Sequence, residues 1–219
     1  MTRSRFRCRE EKEEIFRSAD IYPVISSEFC LDRSPLAVFR AVAEGGAKLA
    51  QLREKHWGKK ALYELAVACR PIANDYGMLL IINDHVDVAL AADADGVHLG
   101  QDDLPVPAAR RLSETLWIGN STHNLEEAMR AQREGADCIN IGPLFPTQTK
   151  EVGYNPLGVE AMKAIAEQVE LPFSVMGGIK ARHISELLRA GARRIAMVTE
   201  ITQAPDVAAK VRELRALFQ

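Results

Sequence analysis

The chain has few of the features that would set it apart from an ordinary globular protein. It carries only four cysteines in 219 residues, Cys8, Cys30, Cys69 and Cys138, far apart and with no C-x-x-C pair. That spacing supports neither a disulfide framework nor a zinc site, so they read as reduced thiols of a cytoplasmic protein. No apolar run reaches the roughly 20 residues that a transmembrane helix needs. Neither sign of charge dominates: 28 Lys and Arg against 30 Asp and Glu give a formal net charge of −2. There is thus no basic field for nucleic acid or an anionic membrane. The first residues lack the apolar stretch of a secretion signal. Arg3, Arg5, Arg7 and Arg9 are followed by Glu10, Glu11, Glu13 and Glu14, too many acids for a transit peptide. Residues 1–20 are expected to form a partly helical leader outside the core, and residues 21–219 a single domain.

From Ile21 onward, short apolar runs alternate with helical patterns. The runs are Ile21–Ile25, Leu49–Leu52, Met78–Ile82, Gly96–Leu99, Leu116–Gly119, Cys138–Ile141, Phe173–Met176 and Ile195–Val198. Several are apolar with little alternation, as expected of parallel strands covered on both faces. Between them, Leu62, Leu65, Ala66, Cys69, Ile72 and Ala73 form a helical stripe, and Val207, Val211, Leu214 and Phe218 another. Gly-Ala pairs precede three strands, at Gly46-Ala47, Gly135-Ala136 and Gly191-Ala192; a left-handed glycine there ends the helix. Eight strands, each followed by a helix, in about 200 residues predict a compact α/β fold, a (β/α)8 TIM barrel. An open doubly wound sheet is the rival.

Polar residues gather where these strands end, the face on which barrel enzymes do their chemistry. Gln51, Arg53 and Lys55 share a parity, so all three are expected to point into the barrel mouth, where two cations suit a diphosphate. Asp84 and Asp103 end consecutive strands; paired carboxylates suit Mg2+, which keeps waters and takes phosphate oxygens as further ligands. Asp102 competes with Asp103 for this role. Thr147, Thr149 and Lys150 lie in a long loop between Pro146 and Pro156 and offer hydroxyls and an ammonium to a phosphate. Gly177-Gly178 after the seventh strand and Val198-Thr199 after the eighth match the usual barrel phosphate site. His123 is the acid–base candidate among the histidines; His56, His85, His98 and His183 read as structural or surface residues.

Taken together, Gln51-Leu52-Arg53-Glu54-Lys55, Ile82-Asn83-Asp84, Gly100-Gln101-Asp102-Asp103, Gly142-Pro143 with Pro146-Thr147-Gln148-Thr149-Lys150, and Gly177-Gly178-Ile179 resemble the thiamine-phosphate synthase family over roughly residues 20–215. The resemblance implies a TIM barrel that joins hydroxymethylpyrimidine diphosphate to a carboxylated or reduced-ring thiazole phosphate. The products would be thiamine phosphate and pyrophosphate. It assigns the pyrimidine diphosphate to Gln51, Leu52, Arg53, Glu54, Lys55, Asn83, Ser121 and Lys150. It assigns Mg2+ to Asp84 and Asp103, and the thiazole phosphate to Thr147, Gln148, Thr149, Gly178, Val198 and Thr199. Arg53, Lys55, Ser121 and Lys150 would carry the catalysis. Departures from the family pattern are His85, Val175-Met176 and Thr199-Glu200; Glu200 is expected to bring a negative charge near the phosphate site. The partners implied are small phosphorylated substrates, not nucleic acid or membrane, and a homo-oligomer is compatible. Two other readings share the barrel. One is an isomerase that aromatises a thiazole phosphate, which would need His123 but no metal acids. The other is a non-catalytic phosphate-binding protein.

Overall fold

The structure, a computed structural model, describes residues 2–6, 8–147 and 155–219. Eight parallel strands close into a barrel in sequence order, β1 pairing with β8. They are β1 (Ile21–Ile25), β2 (Leu49–Leu52), β3 (Leu79–Asn83), β4 (Gly96–Leu99), β5 (Trp117–Thr122), β6 (Cys138–Ile141), β7 (Phe173–Val175) and β8 (Ile195–Met197). A helix precedes the barrel, α1 (Arg9–Arg17). Helices between strands are α2 (Pro35–Glu44), α3 (Lys59–Tyr76), α4 (Val86–Ala91), α5 (Val106–Leu112), α6 (Leu125–Arg133), α7 (Gly158–Ala166) and α8 (Ile184–Arg189). The short α9 (Thr199–Thr202) and α10 (Val207–Ala216) follow β8. The expected strands are all present. β3 starts one residue later and reaches Asn83, and β5 extends to Thr122.

Strand parity divides the apolar residues into two cores. Outward residues such as Ile25, Leu52, Leu80, Val97, Ile118 and Ile139 pack beneath the helices. Inward residues such as Tyr22, Val24, Leu49, Ile81 and Trp117 fill the barrel itself. Below the C-terminal strand ends both faces are therefore covered, which explains the near-continuous apolar runs. The helices contribute the matching stripes: Leu62, Ala66, Cys69, Ile72 and Ala73 of α3 are buried, as are Val207, Val211 and Leu214 of α10. The helix stops also take the expected conformation, with φ of 89° at Gly46, 85° at Gly135 and 95° at Gly191.

The leader corrects one expectation. The described residues of the leader do not all stay outside the core. Phe16 of α1 is 1% exposed and meets Trp117 of β5 with ring centroids 5.7 Å apart, closing the N-terminal end of the barrel. Lys12 is buried beside it, its Nζ donating to the Thr115 carbonyl at 2.8 Å. Arg9 pairs with Asp137, and Ser4 Oγ donates to the buried Asp95 carboxylate, which Arg70 also holds at 2.7 Å. Charged residues of the leader thus help bind it to the barrel floor, while Phe16, flanked by Phe6 and Ile15, supplies the plug.

Candidate active site

The opposite, C-terminal end of the barrel opens into a cavity of about 220 Å3. A water claims about 30 Å3, so the space takes organic molecules rather than a lone ion. Its floor is made by inward residues one layer above the apolar plug. Gln51 of β2 is 4% exposed, and its Nε2 donates to Tyr22 Oη at 3.0 Å; burial holds that phenol above its ordinary pKa, so it stays neutral. His98 of β4 has Nε2 2.9 Å from Ser121 Oγ of β5. Room for the imidazole comes from Gly119, where an added Cβ would lie 2.6 Å from His98 Nδ1.

Arg53 and Lys55 continue the parity of Gln51 and line the cavity. The Arg53 N–H still donates to the Ile25 carbonyl at 2.8 Å, so strand pairing with β1 aims this segment. Burial pulls the Arg53 guanidinium below the ordinary arginine value, opposed by Asp84, Glu28 and Glu54; it remains a cation. Asp84 sits just past β3 in a left-handed conformation, φ 63°, fixed by its N–H donating to the His98 carbonyl at 2.8 Å. That turn brings its carboxylate onto Lys55 Nζ. Asp103 reaches the same point from the β4 loop, its Oδ2 accepting from Gly100 N at 2.6 Å. Burial and the adjacent Asp84 carboxylate hold the Asp103 carboxyl above its ordinary range. Two facing carboxylates, each raising the cost of charge on the other, fit a hard divalent cation. Asp102 lines the cavity but is exposed, without this contact.

Across the barrel, the loops after β6, β7 and β8 form the second pole. Gly177 and Gly178 have φ of 101° and 63°. They let the β7 loop press against the β6 loop: Phe145 N donates to the Gly177 carbonyl at 3.0 Å, and a Cβ on Gly178 would lie 2.3 Å from the Pro146 carbonyl oxygen. Thr147, Gly178, Val198 and Thr199 line the cavity here. One end of the site thus carries acids and cations, and the other exposes backbone and hydroxyl groups suited to an oxyanion.

With the site in view, its relatives can be named. A family model described as thiamine monophosphate synthase matches residues 21–201. The chain belongs to the thiamine monophosphate synthase family. It is 45% identical over 197 residues to the thiamine-phosphate synthase of Chloroflexus aurantiacus, covering 90% of this chain and 91% of that one. The Pelotomaculum thermopropionicum thiamine-phosphate synthase is 44% identical over 201 residues, covering 91% and 92%. A solved thiamine phosphate pyrophosphorylase from Pyrococcus furiosus superimposes with a TM-score of 0.85 at 33% identity, over 93% of this chain and 97% of that one.

Against the set expected of a thiamine monophosphate synthase, Gln51, Arg53, Lys55, Asn83, Asp84, Asp103, Ser121, Thr147, Gly178, Val198 and Thr199 all border the one cavity. Leu52 and Glu54 do not. Leu52 has the outward parity and lies in the core beneath the helices. Glu54 turns away to accept hydrogen bonds from Ser27 N at 2.7 Å and Ser27 Oγ at 2.6 Å. Gln148, Thr149 and Lys150 lie outside the described residues. His98, read from sequence as structural or surface, borders the cavity; its parity with Gly96 and its place on β4 were the available signal. Lys180, two residues past the paired glycines, also borders it and was not foreseen. Glu200 brings its charge to this pole from behind the wall: it does not line the cavity but faces Lys180 Nζ at 3.4 Å and Ala181 N at 3.4 Å. His123 borders the cavity with Nδ1 2.8 Å from Glu127 Oε2.

Proposed function

We propose that this chain is a thiamine-phosphate synthase, a transferase that joins hydroxymethylpyrimidine diphosphate to thiazole phosphate and releases pyrophosphate. The observation that carries the reading is the two-pole cavity: cations and paired acids at β2–β4, an oxyanion cradle at β7–β8, in a chain of this family. Arg53 and Lys55 bind the diphosphate, with Asn83, Ser121 and Lys150 completing its site and Gln51 facing the pyrimidine. Asp84 and Asp103 hold Mg2+, which when bound supplies positive charge to the diphosphate oxygens. Gly178, Val198, Thr199 and residues 147–149 receive the thiazole phosphate. The protein works in the cytoplasm on small phosphorylated molecules. Among the described residues, no helix is long and apolar enough to cross a membrane.

The chemistry follows from the leaving group. The bond between the pyrimidine methylene and the diphosphate oxygen breaks, its electron pair departing with pyrophosphate, and the electron-rich aminopyrimidine supports the cation left behind. The thiazole nitrogen then donates its lone pair to that carbon. No protein nucleophile is consumed. The residues lower the barrier by placing positive charge where negative charge grows and by holding the two rings within reach. His98 orients Ser121, which faces the diphosphate.

A comparison of two reactions tests this reading. His123→Ala is expected to lower thiamine phosphate formation only modestly, because charge stabilisation rather than ring proton transfer sets the rate. In an isomerase, losing such an acid–base group costs about 10²–10⁴-fold. Thiazole isomerisation that vanishes in His123→Ala, from a protein that makes no thiamine phosphate, would replace the synthase reading.

A further inference from the structure

Lys180 stands on the cavity wall between the loops that follow β7 and β8. Its Nζ lies 3.3 Å from Thr199 Oγ1 and 3.4 Å from Glu200 Oε2. Both separations exceed the roughly 2.7–2.9 Å of a well-made ammonium–oxygen bond, so the ammonium is held loosely. The Lys180 side chain is 40% exposed and that of Glu200 only 17%; the cation is the partner that faces the ligand space. The second Glu200 oxygen, Oε1, accepts from Ala181 N at 3.4 Å, which keeps the carboxylate behind the wall. An ammonium on a four-carbon stem has three donors and moves easily. The hydroxyl it touches, Thr199, and the glycine two residues before it, Gly178, belong to the oxyanion pole.

We propose that Lys180 is the cation that recognises the phosphate of the thiazole substrate, with the Glu200 carboxylate pairing with it until that phosphate arrives. This rests on the synthase reading and extends it to a specificity-determining residue. A phosphomonoester dianion offers three oxygens and more charge than one loosely held carboxylate, so it takes the ammonium over. Glu200 then sets the resting affinity of this pole: an unopposed lysine would hold inorganic phosphate and the pyrophosphate product more tightly, and a carboxylate competitor weakens every anion there by the same amount. The effect is local, because the diphosphate pole lies across the barrel, at β2–β4.

The test uses the full chain, as wild type, Lys180→Met, Lys180→Arg and Glu200→Gln. Calorimetric titration with thiazole phosphate and with the dephosphorylated thiazole alcohol is combined with steady-state rates on both substrates. Losing one charge-assisted contact is expected to weaken thiazole phosphate binding about tenfold or more in Lys180→Met, with the alcohol and the KM for pyrimidine diphosphate unchanged. Lys180→Arg recovers most of the loss. Glu200→Gln binds thiazole phosphate and inorganic phosphate about two- to fivefold more tightly, the scale of a half-exposed ion pair. Equal thiazole phosphate affinity in wild type and Lys180→Met overturns the proposal, as does an equal loss for the alcohol or a wild type indifferent to the phosphate. Turnover with Lys180-independent binding rejects the inference and keeps the synthase; Lys180-dependent binding without turnover does the reverse.

Discussion

At the scale of single residues, the site sets stability against function most openly at Asp84 and Asp103. The folded protein raises the Asp103 carboxyl through burial and the Asp84 charge. A raised folded-state value means the folded chain binds that proton more tightly than the unfolded chain. The stability it lends is present below the ordinary carboxylate range and lost as pH rises through the folded value. At neutral pH without metal, the ionised pair therefore costs stability. Asp103→Asn keeps an acceptor for Gly100 N and removes the repulsion. We expect thermal unfolding in chelator at pH 7–8 to show a Tm raised by up to about 2–4 °C, equivalent to no more than about 1 kcal/mol at this half-exposed site. The gain should shrink as pH falls through the carboxylate range. Turnover with Mg2+ should drop at least about 10²-fold. A lower Tm at neutral pH would show that the carboxylate is a structural anchor.

Gly178 carries a second prediction at this scale. Its φ of 63° and the Pro146 carbonyl 2.3 Å from any Cβ leave no room for a side chain. Gly178→Ala is expected to cost about 1–3 kcal/mol and to raise the KM for thiazole phosphate more than that for pyrimidine diphosphate. An unchanged KM ratio would remove the cradle from the binding role.

At the scale of elements, α1 matters more than its sequence suggests. Its charges read as a solvated leader, and periodicity gave no reason to bury them. The burial rests on contacts distant in sequence: Phe16 on Trp117, Arg9 on Asp137, Ser4 on Asp95. A residue-by-residue reading has no access to such pairings until the barrel closes. The strands behave oppositely. Their apolar runs are local, so β1, β2, β4 and β6 were legible to the residue, while β5 runs on through polar Asn120 and Ser121 that sequence hydropathy would end. Parity also explains which of residues 51–55 border the cavity. It placed Gln51, Arg53 and Lys55 correctly, and applied to Leu52 and Glu54 it would have excluded both. Lys180 lies past the strand end, where parity lapses and only the fold of the loop decides. Phe16→Ala should destabilise the protein by about 3–5 kcal/mol, read by denaturant unfolding with tryptophan fluorescence. Its KM values should stay unchanged, because the plug and the cavity occupy opposite ends of the barrel. A loss below about 1 kcal/mol would return the leader to the periphery.

At the scale of the whole molecule, the closed barrel turns scattered sequence segments into one site with two poles. Residues 51–55, 83–84 and 103 meet only because β2, β3 and β4 are neighbours, and residues 177–180 and 198–199 only because β7 adjoins β8. The same closure seals three of the four thiols. Burial pushes Cys30 up to about 11 and Cys138 up to about 12, and Cys69 is raised as well, so these stay protonated and inert. A disulfide reagent at neutral pH should label Cys8 in the native state and the other three only on unfolding. Rapid native labelling of Cys138 would mean that the plugged end opens.

A synthase of the kind proposed must transfer one group between two substrates held at opposite sides of one barrel mouth. Purified protein, Mg2+, hydroxymethylpyrimidine diphosphate and thiazole phosphate are mixed, and thiamine phosphate and pyrophosphate are quantified together. We predict equimolar products, formed only when both substrates and the metal are present and halted by chelator. Pyrophosphate released without thiamine phosphate, or no product from the complete mixture, would contradict that reading.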